Sequence, residues 1–334
     1  MLYCVSSICD QGTLQLAAKA YRTMDTNVPE ELILKELEAA SMRLAKGAGL
    51  VLQRYQPGNT HVEYKGKEGT DPVTEADLRI EEYLREEISR EFPGHGMVAE
   101  EDTEAEAANV DFMWAIDPLD GTANFAAGMP LYAVSIGLLY KGVPILGSLF
   151  LPNTFAGGGV YHARMGGGAF VDEDQLKVVP NSLLQPSGLA GIPASYRAVF
   201  SSKRTRGMGE VRIMGSISCE MVLVASGVFQ YSFFAGSHIW DVAAGVVLIR
   251  EAGGEVLEWR RGQWLPFQDF AVKPNKLDES LSQAFRRWGA PLLAGAPEIV
   301  THLASQTRVR RRPLLSSLRR IKTLRARTRE KRSE

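Results

Sequence analysis

Asp117-Pro118-Leu119-Asp120-Gly121-Thr122 places two carboxylates three residues apart, directly after a short apolar run, Met113-Trp114-Ala115-Ile116. The run reads as a buried strand. Pro118 cannot donate to a sheet ladder, and Gly121 accepts backbone angles that other residues resist. The strand is therefore expected to stop here in a tight turn. Two carboxylates carried off a strand end make a place to hold a divalent metal. The Gly121 and Thr122 amides beyond them could face an anion if a helix begins there. The competing reading is an ordinary Asp-Pro/Asp-Gly surface turn.

Three further acids fall at ends of predicted elements. Asp77 stands three residues after Thr74, where a helix is expected to start, and could be a plain capping-box acid. Glu100 follows a short apolar strand, Gly96 to Ala99, and could sit in a solvated acidic loop. Asp241 follows Trp240 and opens a predicted helix, where it could be an N-cap. Capping accounts for Asp77 and Asp241 but not for acids at two strand ends. Such hard oxygen donors suit Mg²⁺, Mn²⁺ or Ca²⁺ rather than zinc. Two such ions, roughly 4 Å apart, can activate a water and stabilise a leaving oxygen in phosphoryl transfer. The five histidines show no HExxH spacing, and neither a GxSxG elbow nor a Walker loop is present, which weakens serine-nucleophile and nucleoside-triphosphate readings.

The 334 residues are 45% apolar and 23% charged, ordinary for a globular protein with room for a sizeable core. No apolar run approaches the ~20 residues that span a bilayer. The first residues lack the charged and apolar regions of a secretion signal. Cys4, Cys9 and Cys219 form no CxxC, so a reducing cytoplasm is expected. Residues 1–27 read as a disordered leader or a misassigned start, with Met24 as the rival initiator. Residues 28–150 read as an N-terminal α+β lobe carrying the acidic motifs, and 151–300 as a C-terminal α/β lobe. A basic tail, 308–334, holds twelve Lys/Arg against two Asp/Glu, a net of +10 in a chain of net −1, so the remainder carries −11. Its leucines and isoleucine follow helical spacing, giving either a basic amphipathic helix that touches anionic lipid or nucleic acid, or a solvated tail.

Helical periodicity covers Glu30 to about Gln53, with Asn27 as a possible cap, and the stretch from Thr74 to before Pro93. Leu131–Tyr140 and Val143–Phe150 read as paired strands joined by Lys141-Gly142. Later, Glu220–Gly227 and Asp241–Ala252 look helical, while Phe229–Phe234 and Glu255–Glu258 look like strands. The alternation predicts layered α/β architecture.

Four motifs in order, spread from about residue 30 to 260, carry a resemblance. They are Asp71-Pro72-Val73-Thr74-Glu75-Ala76-Asp77, Val98-Ala99-Glu100-Glu101, Trp114-Ala115-Ile116-Asp117-Pro118-Leu119-Asp120-Gly121-Thr122-Ala123-Asn124-Phe125, and Trp240-Asp241-Val242-Ala243-Ala244-Gly245 with Glu251-Ala252-Gly253-Gly254. Together with Gly215-Ser216 they resemble the inositol monophosphatase family. The resemblance implies a two-lobed fold like that of inositol monophosphatase and fructose-1,6-bisphosphatase, a homodimer, and two or three Mg²⁺ ions, with Mn²⁺ as a substitute. It implies that Glu100, Asp117 and the Leu119 carbonyl hold one ion, and that Asp117, Asp120 and Asp241 hold another. Thr122, paired with Asp77, would orient and deprotonate the attacking water, and the Gly121 and Thr122 amides would bind phosphate, with Asp241 also facing the substrate.

Substrate-side positions depart from the pattern. Inositol-specific members carry a Glu seven residues before the Asp of the Trp-Asp motif, and here that position is Phe234. Lys203, Arg204 and Arg206 could face a second anionic group or stay solvated, and the family's lysine near the metals falls at Lys65 or Lys67. The expected activity is Mg²⁺-dependent hydrolysis of a small polyol or sugar phosphate. Histidinol phosphate, fructose 1,6-bisphosphate and 3′(2′),5′-bisphosphate nucleotides are alternative substrates. A scaffold anchored by its basic tail is the alternative outside enzymes.

Overall fold

The computed structural model describes residues 29–59, 62–65, 71–101, 110–152, 158–179, 183–196, 200–202, 208–270, 272 and 280–310. The chain begins with α1 (Glu31–Leu52), the antiparallel pair β1 (Val62–Lys65) and β2 (Asp71–Thr74), and α2 (Glu75–Glu91). A seven-stranded sheet follows in chain order: β3 (Gly96–Ala99), β4 (Phe112–Asp120), β5 (Ala133–Tyr140), β6 (Val143–Leu151), β7 (Gly159–Arg164), β8 (Gly168–Val171) and β9 (Asp174–Gln175). A short helix, α3 (Thr122–Ala126), links β4 to β5. Within this sheet as described, β3 and β4 pair in parallel and the later neighbours are antiparallel.

The second half contributes β10 (Leu189–Gly191), β11 (Phe200–Ser202), β12 (Glu210–Arg212), α4 (Ile217–Ala225), β13 (Phe229–Ser237), α5 (Ile239–Glu251), β14 (Glu255–Arg260) and β15 (Gln263–Pro266). It ends with α6 (Leu281–Arg286), β16 (Ala290–Gly295), α7 (Pro297–Gln306) and β17 (Thr307–Val309). A six-stranded sheet runs β12-β10-β13-β16-β14-β15, and β11 pairs with β17.

Burial sorts these elements into five layers. Leu37 and Leu44 of α1 and Ile80 and Leu84 of α2 pack on Trp114, Ile116, Ile136 and Leu146 of the first sheet. On its other face, Met113, Ala115 and Leu149 meet α4 and α5, which lie between the two sheets. The far face of the second sheet, with Phe233, Leu257 and Leu293, is covered by Ile299, Val300 and Leu303 of α7. Successive residues of β4 thus bury on opposite faces, which is why the strand reads as continuous apolar sequence. The central helix α5 is apolar around most of its circumference, as a helix between two sheets must be. Gly137 and Gly147 let it approach closely, since a Cβ on either would lie 2.6 Å and 2.4 Å from atoms of Ala243 and Ala244.

The layered α/β architecture agrees with the sequence expectation, with local differences. Strand β4 does not stop at Asp117 but runs to Asp120, and its register slips between Asp117↔Ser135 and Asp120↔Ala133. Pro118, without an N–H, lies where the ladder skips. Glu30 rather than Asn27 precedes α1, and Asn27 lies outside the described residues along with the rest of the leader. The first residues assigned to the tail belong to the fold: Arg308 sits in β17, and the Arg310 guanidinium donates to the Phe200 carbonyl at 3.0 Å. Residues 311–334 lie outside the described residues, as do Lys203, Arg204, Arg206 and Lys67, and the side chain of Lys65.

Two side chains of β7 latch Glu38 of α1 to the first sheet, Arg164 Nε lying 3.0 Å from Glu38 Oε2 and His162 meeting the other oxygen. His162 Nδ1 lies 2.8 Å from Glu38 Oε1, and its Nε2 lies 3.0 Å from the Asp172 carbonyl. Both partners can only accept, so both contacts are hydrogen bonds only when the ring is doubly protonated. Burial, the largest single influence, lowers its pKa, but the Glu38 and Asp172 contacts together raise it above the usual histidine value. A raised folded pKa gives stability that is present at low pH and lost as pH climbs through that value. His162→Gln is expected to cost about 1 kcal/mol near pH 6. Denaturant midpoints of variant and parent should converge towards pH 9; a gap that is constant with pH would refute the latch.

Candidate active site

Strand β4 delivers Asp117 buried, with 2% of its surface exposed, and Asp120 at the rim. Asp117 Oδ1 accepts the Leu119 amide at 3.0 Å, folding the chain back over Pro118. Gly121 follows with φ of 90°, and a Cβ there would sit 2.7 Å from the Leu131 carbonyl, so the turn requires glycine. A helix does begin at Thr122, though it is only one turn long. Asn124 braces the turn from behind, donating to the carbonyls of Leu131 at 2.7 Å and Met214 at 2.9 Å.

Asp120 reaches across to the second half of the chain. Its Oδ2 accepts from Ser216 Oγ at 2.8 Å and from the Ser218 amide, and its Oδ1 accepts from the Ile217 amide at 3.3 Å. These are the first donors of α4, whose Ser216 cap also accepts from Cys219 N at 3.2 Å. A helix N-terminus with its unpaired amides is a favourable partner for a carboxylate. A carboxylate offers about four acceptor sites. Three donors therefore leave Asp120 capacity for another partner.

Asp77 serves two structures at once. Its Oδ2 accepts from Thr74 N at 2.8 Å and Thr74 Oγ1 at 2.5 Å, closing the capping box of α2. Its Oδ1 lies 3.1 Å from Thr122 Oγ1, which also lies 2.9 Å from the Leu119 carbonyl. The capping bonds occupy one carboxylate oxygen and leave the other to face Thr122, so capping and an active-site role are compatible. Asp241 is not the N-cap of α5. His238 occupies that position, and Asp241, at N3, accepts the His238 amide at 2.7 Å. The start of α5 is anchored to β5 by Ser135 Oγ, which donates to the Trp240 carbonyl at 3.1 Å. Glu100 directly follows β3, and its amide donates to Ile116 O at 3.2 Å, next to Asp117.

Asp77, Glu100, Asp120 and Asp241 all lie within electrostatic reach of Asp117. Burial, first of all, drives the Asp117 carboxyl well above the usual carboxylate range, and Glu100, Asp120, Asp241 and Asp77 push it further. Burial and then Asp120 do the same to Asp241, against the hydrogen bond from His238. Asp120 is raised by burial and partly held down by Ser218, Ser216 and Ile217. Among the described residues no three such side chains already meet at the spacing of a closed ion cage. The donor set nevertheless fits a divalent cation. Hard oxygens from buried carboxylates that resist joint ionisation, with the Leu119 carbonyl beside them, are what a doubly charged ion would relieve.

Phe234 is turned away from any role as acceptor: it is 2% exposed and packs in the central core, opposite Leu292. Three contributors escaped the motif reading. Ile217 and Ser218 act through backbone amides, which no side-chain pattern reveals. Arg286, taken up below, lies in no motif at all.

Residues 33–289 match the inositol monophosphatase family. An inositol-1-monophosphatase of Mesorhizobium japonicum is 35% identical over 212 residues, 61% of this chain and 78% of the relative. A fructose-1,6-bisphosphatase/inositol-1-monophosphatase of Aquifex aeolicus is 32% identical over 233 residues, 67% and 86% respectively. The solved inositol monophosphatase of Anabaena (Nostoc) sp. PCC 7120 superposes with a TM-score of 0.60 at 29% identity, covering 81% of this chain and 95% of that one. Fold, site and likeness together define a phosphoric monoester hydrolase. The chain belongs to the inositol monophosphatase family.

Proposed function

We propose that this chain hydrolyses the phosphate ester of a small polyol, sugar or related metabolite by direct attack of water, with Mg²⁺ as its natural cation. The observation that carries the reading is the Asp117 carboxyl, raised first by burial and then by Glu100, Asp120, Asp241 and Asp77, which gather around it from its own strand, the end of β3 and the starts of α2 and α5. Glu100, Asp117, Asp120, Asp241 and the Leu119 carbonyl are the donors that would hold the ions. When bound, Mg²⁺ supplies the charge that lowers the pKa of a water and stabilises the leaving oxygen. Asp77 accepts the Thr122 hydroxyl, so that oxygen's lone pairs can accept a hydrogen bond from the water and aim it, and the proton the water loses can pass through Thr122 to the Asp77 carboxylate. The capping box keeps Asp77 fixed while it does so. The Gly121 and Thr122 amides cradle the phosphate, and the αL turn at Gly121 lets the backbone come close to it. A homodimer, a reducing cytoplasmic setting and contact of the tail beyond Arg310 with anionic lipid or nucleic acid belong to the same reading.

Substrate choice follows from Phe234. A buried ring offers no acceptor to a hydroxylated substrate, and the loss of one such hydrogen bond is worth about 1–3 kcal/mol. Phosphate release with Mg²⁺ should be compared for myo-inositol 1-phosphate, fructose 1,6-bisphosphate, histidinol phosphate and 3′-phosphoadenosine 5′-phosphate. At least one of the last three is expected to exceed myo-inositol 1-phosphate in kcat/KM by roughly tenfold. Preference for the inositol ester would reject the specificity argument, and no release from any ester would reject the enzyme.

A further inference from the structure

Arg286 closes α6 and points across the molecule. Its Nη1 donates to the Ala99 carbonyl and its Nη2 to the Glu100 carbonyl at 2.9 Å, while the guanidinium carbon lies 5.2 Å from the centre of the Trp240 ring. One rigid cation thus touches the strand end that presents Glu100 and the aromatic ring that precedes Asp241. We propose that Arg286 is a positioning residue for the cation site, holding the end of β3 against the start of α5 so that Glu100 and Asp241 face the same ions. The proposal rests on the metal-dependent reading given above.

The chemistry of the contact calls for arginine. A planar fork can donate to two successive carbonyls and present its face to an indole at the same time. Lysine, a compact point charge on a flexible stem, cannot reproduce that geometry. The helix that carries Arg286 is itself over-determined despite its six residues: Ser280 and Gln283 close a capping box at its start, and Phe285 is buried in the central core. Trp240 is held independently by the Ser135 bond to its carbonyl and by stacking on His238, with ring centres 4.9 Å apart. Both ends of the bracket are therefore anchored, and the guanidinium sets the gap between them. Groups that orient ligands in this way commonly govern metal affinity by about 10–100-fold.

The test uses the full chain stripped of metal by a chelator, with Tb³⁺ as the probe and tryptophan-sensitised luminescence as the readout. Arg286→Lys and Arg286→Ala are each expected to weaken Tb³⁺ binding by about tenfold or more. The Mg²⁺ concentration for half-maximal phosphate release should rise by a similar factor, with activity lost at low Mg²⁺ recovering as Mg²⁺ is raised. A merely structural role would lower kcat without that recovery and would overturn the proposal. Parental Tb³⁺ affinity in Arg286→Lys would also overturn it, and that variant decides the matter if Arg286→Ala does not fold. A parent chain that takes up no Tb³⁺ displaceable by Mg²⁺ would overturn the metal reading and the proposal with it, whereas binding in the parent with unchanged binding in the variants overturns the proposal alone.

Discussion

Asp117→Asn is expected to release phosphate from the best substrate about 10³-fold more slowly than the parent, or worse, a loss of about 4 kcal/mol of transition-state stabilisation. Asparagine matches aspartate in shape, so packing at this buried position is kept. What disappears is the charge that the other four acids surround. Burial without a partner charge already opposes ionisation of Asp117, and the variant removes that penalty. The metal-free variant should therefore unfold at a temperature no lower than that of the metal-free parent near pH 7.5. Activity and stability thus move in opposite directions, which separates loss of chemistry from loss of fold. Steady-state phosphate release with Mg²⁺, alongside a thermal melt of the same samples, makes the comparison. Turnover within tenfold of the parent would show that Asp117 is not central to the site.

How much of this was open to reading in the sequence depends on the kind of physics at each position. Asp117, Asp120 and Gly121 were legible because a proline, a glycine and two acids after an apolar run leave few alternatives. The capping role of Asp77 was equally legible from its spacing to Thr74, but its contact with Thr122 joins residues 45 apart, so spacing could not suggest it and only the family resemblance did. The capping alternative for Asp241 could not be settled from sequence, since aspartate is a favoured N-cap and histidine is not, yet His238 takes that position and Asp241 stands at N3. Phe234 could not be oriented in advance. Residues along β13 are buried on both faces, so the alternation that would show which way a side chain points is absent. Arg286 bonds to carbonyls 186 and 187 residues away, and nothing in its neighbourhood marks it as different from Arg287.

The metal-free protein is expected to lose stability as pH rises from about 4 towards 8, and Mg²⁺ is expected to restore it. The sign follows from proton counts. Asp117, Asp120 and Asp241 are all raised in the folded state above the ordinary aspartate value of about 3.9. Between that value and the folded pKa, the native chain holds protons that the unfolded chain has released, so stability falls with pH. His162, raised by its contacts with Glu38 and Asp172, slopes the same way, as do Glu220 and Glu255, which burial pushes up to about 7. The site's share must therefore be read as the difference between the parent and Asp117→Asn. A divalent cation reverses that share because it takes the place of the protons. At a hundred times its dissociation constant it adds about 2.7 kcal/mol, which is roughly 5 °C for a chain of this size. The gain should be small near pH 5, where protons compete, and grow towards pH 8; chelation with EDTA should abolish it. Melting curves with and without Mg²⁺ across this range test the point in both proteins. An Mg²⁺-induced rise as large in Asp117→Asn as in the parent would place the ion elsewhere, and a rise that does not grow with pH would mean that ionisation of these carboxylates is not what the ion depends on.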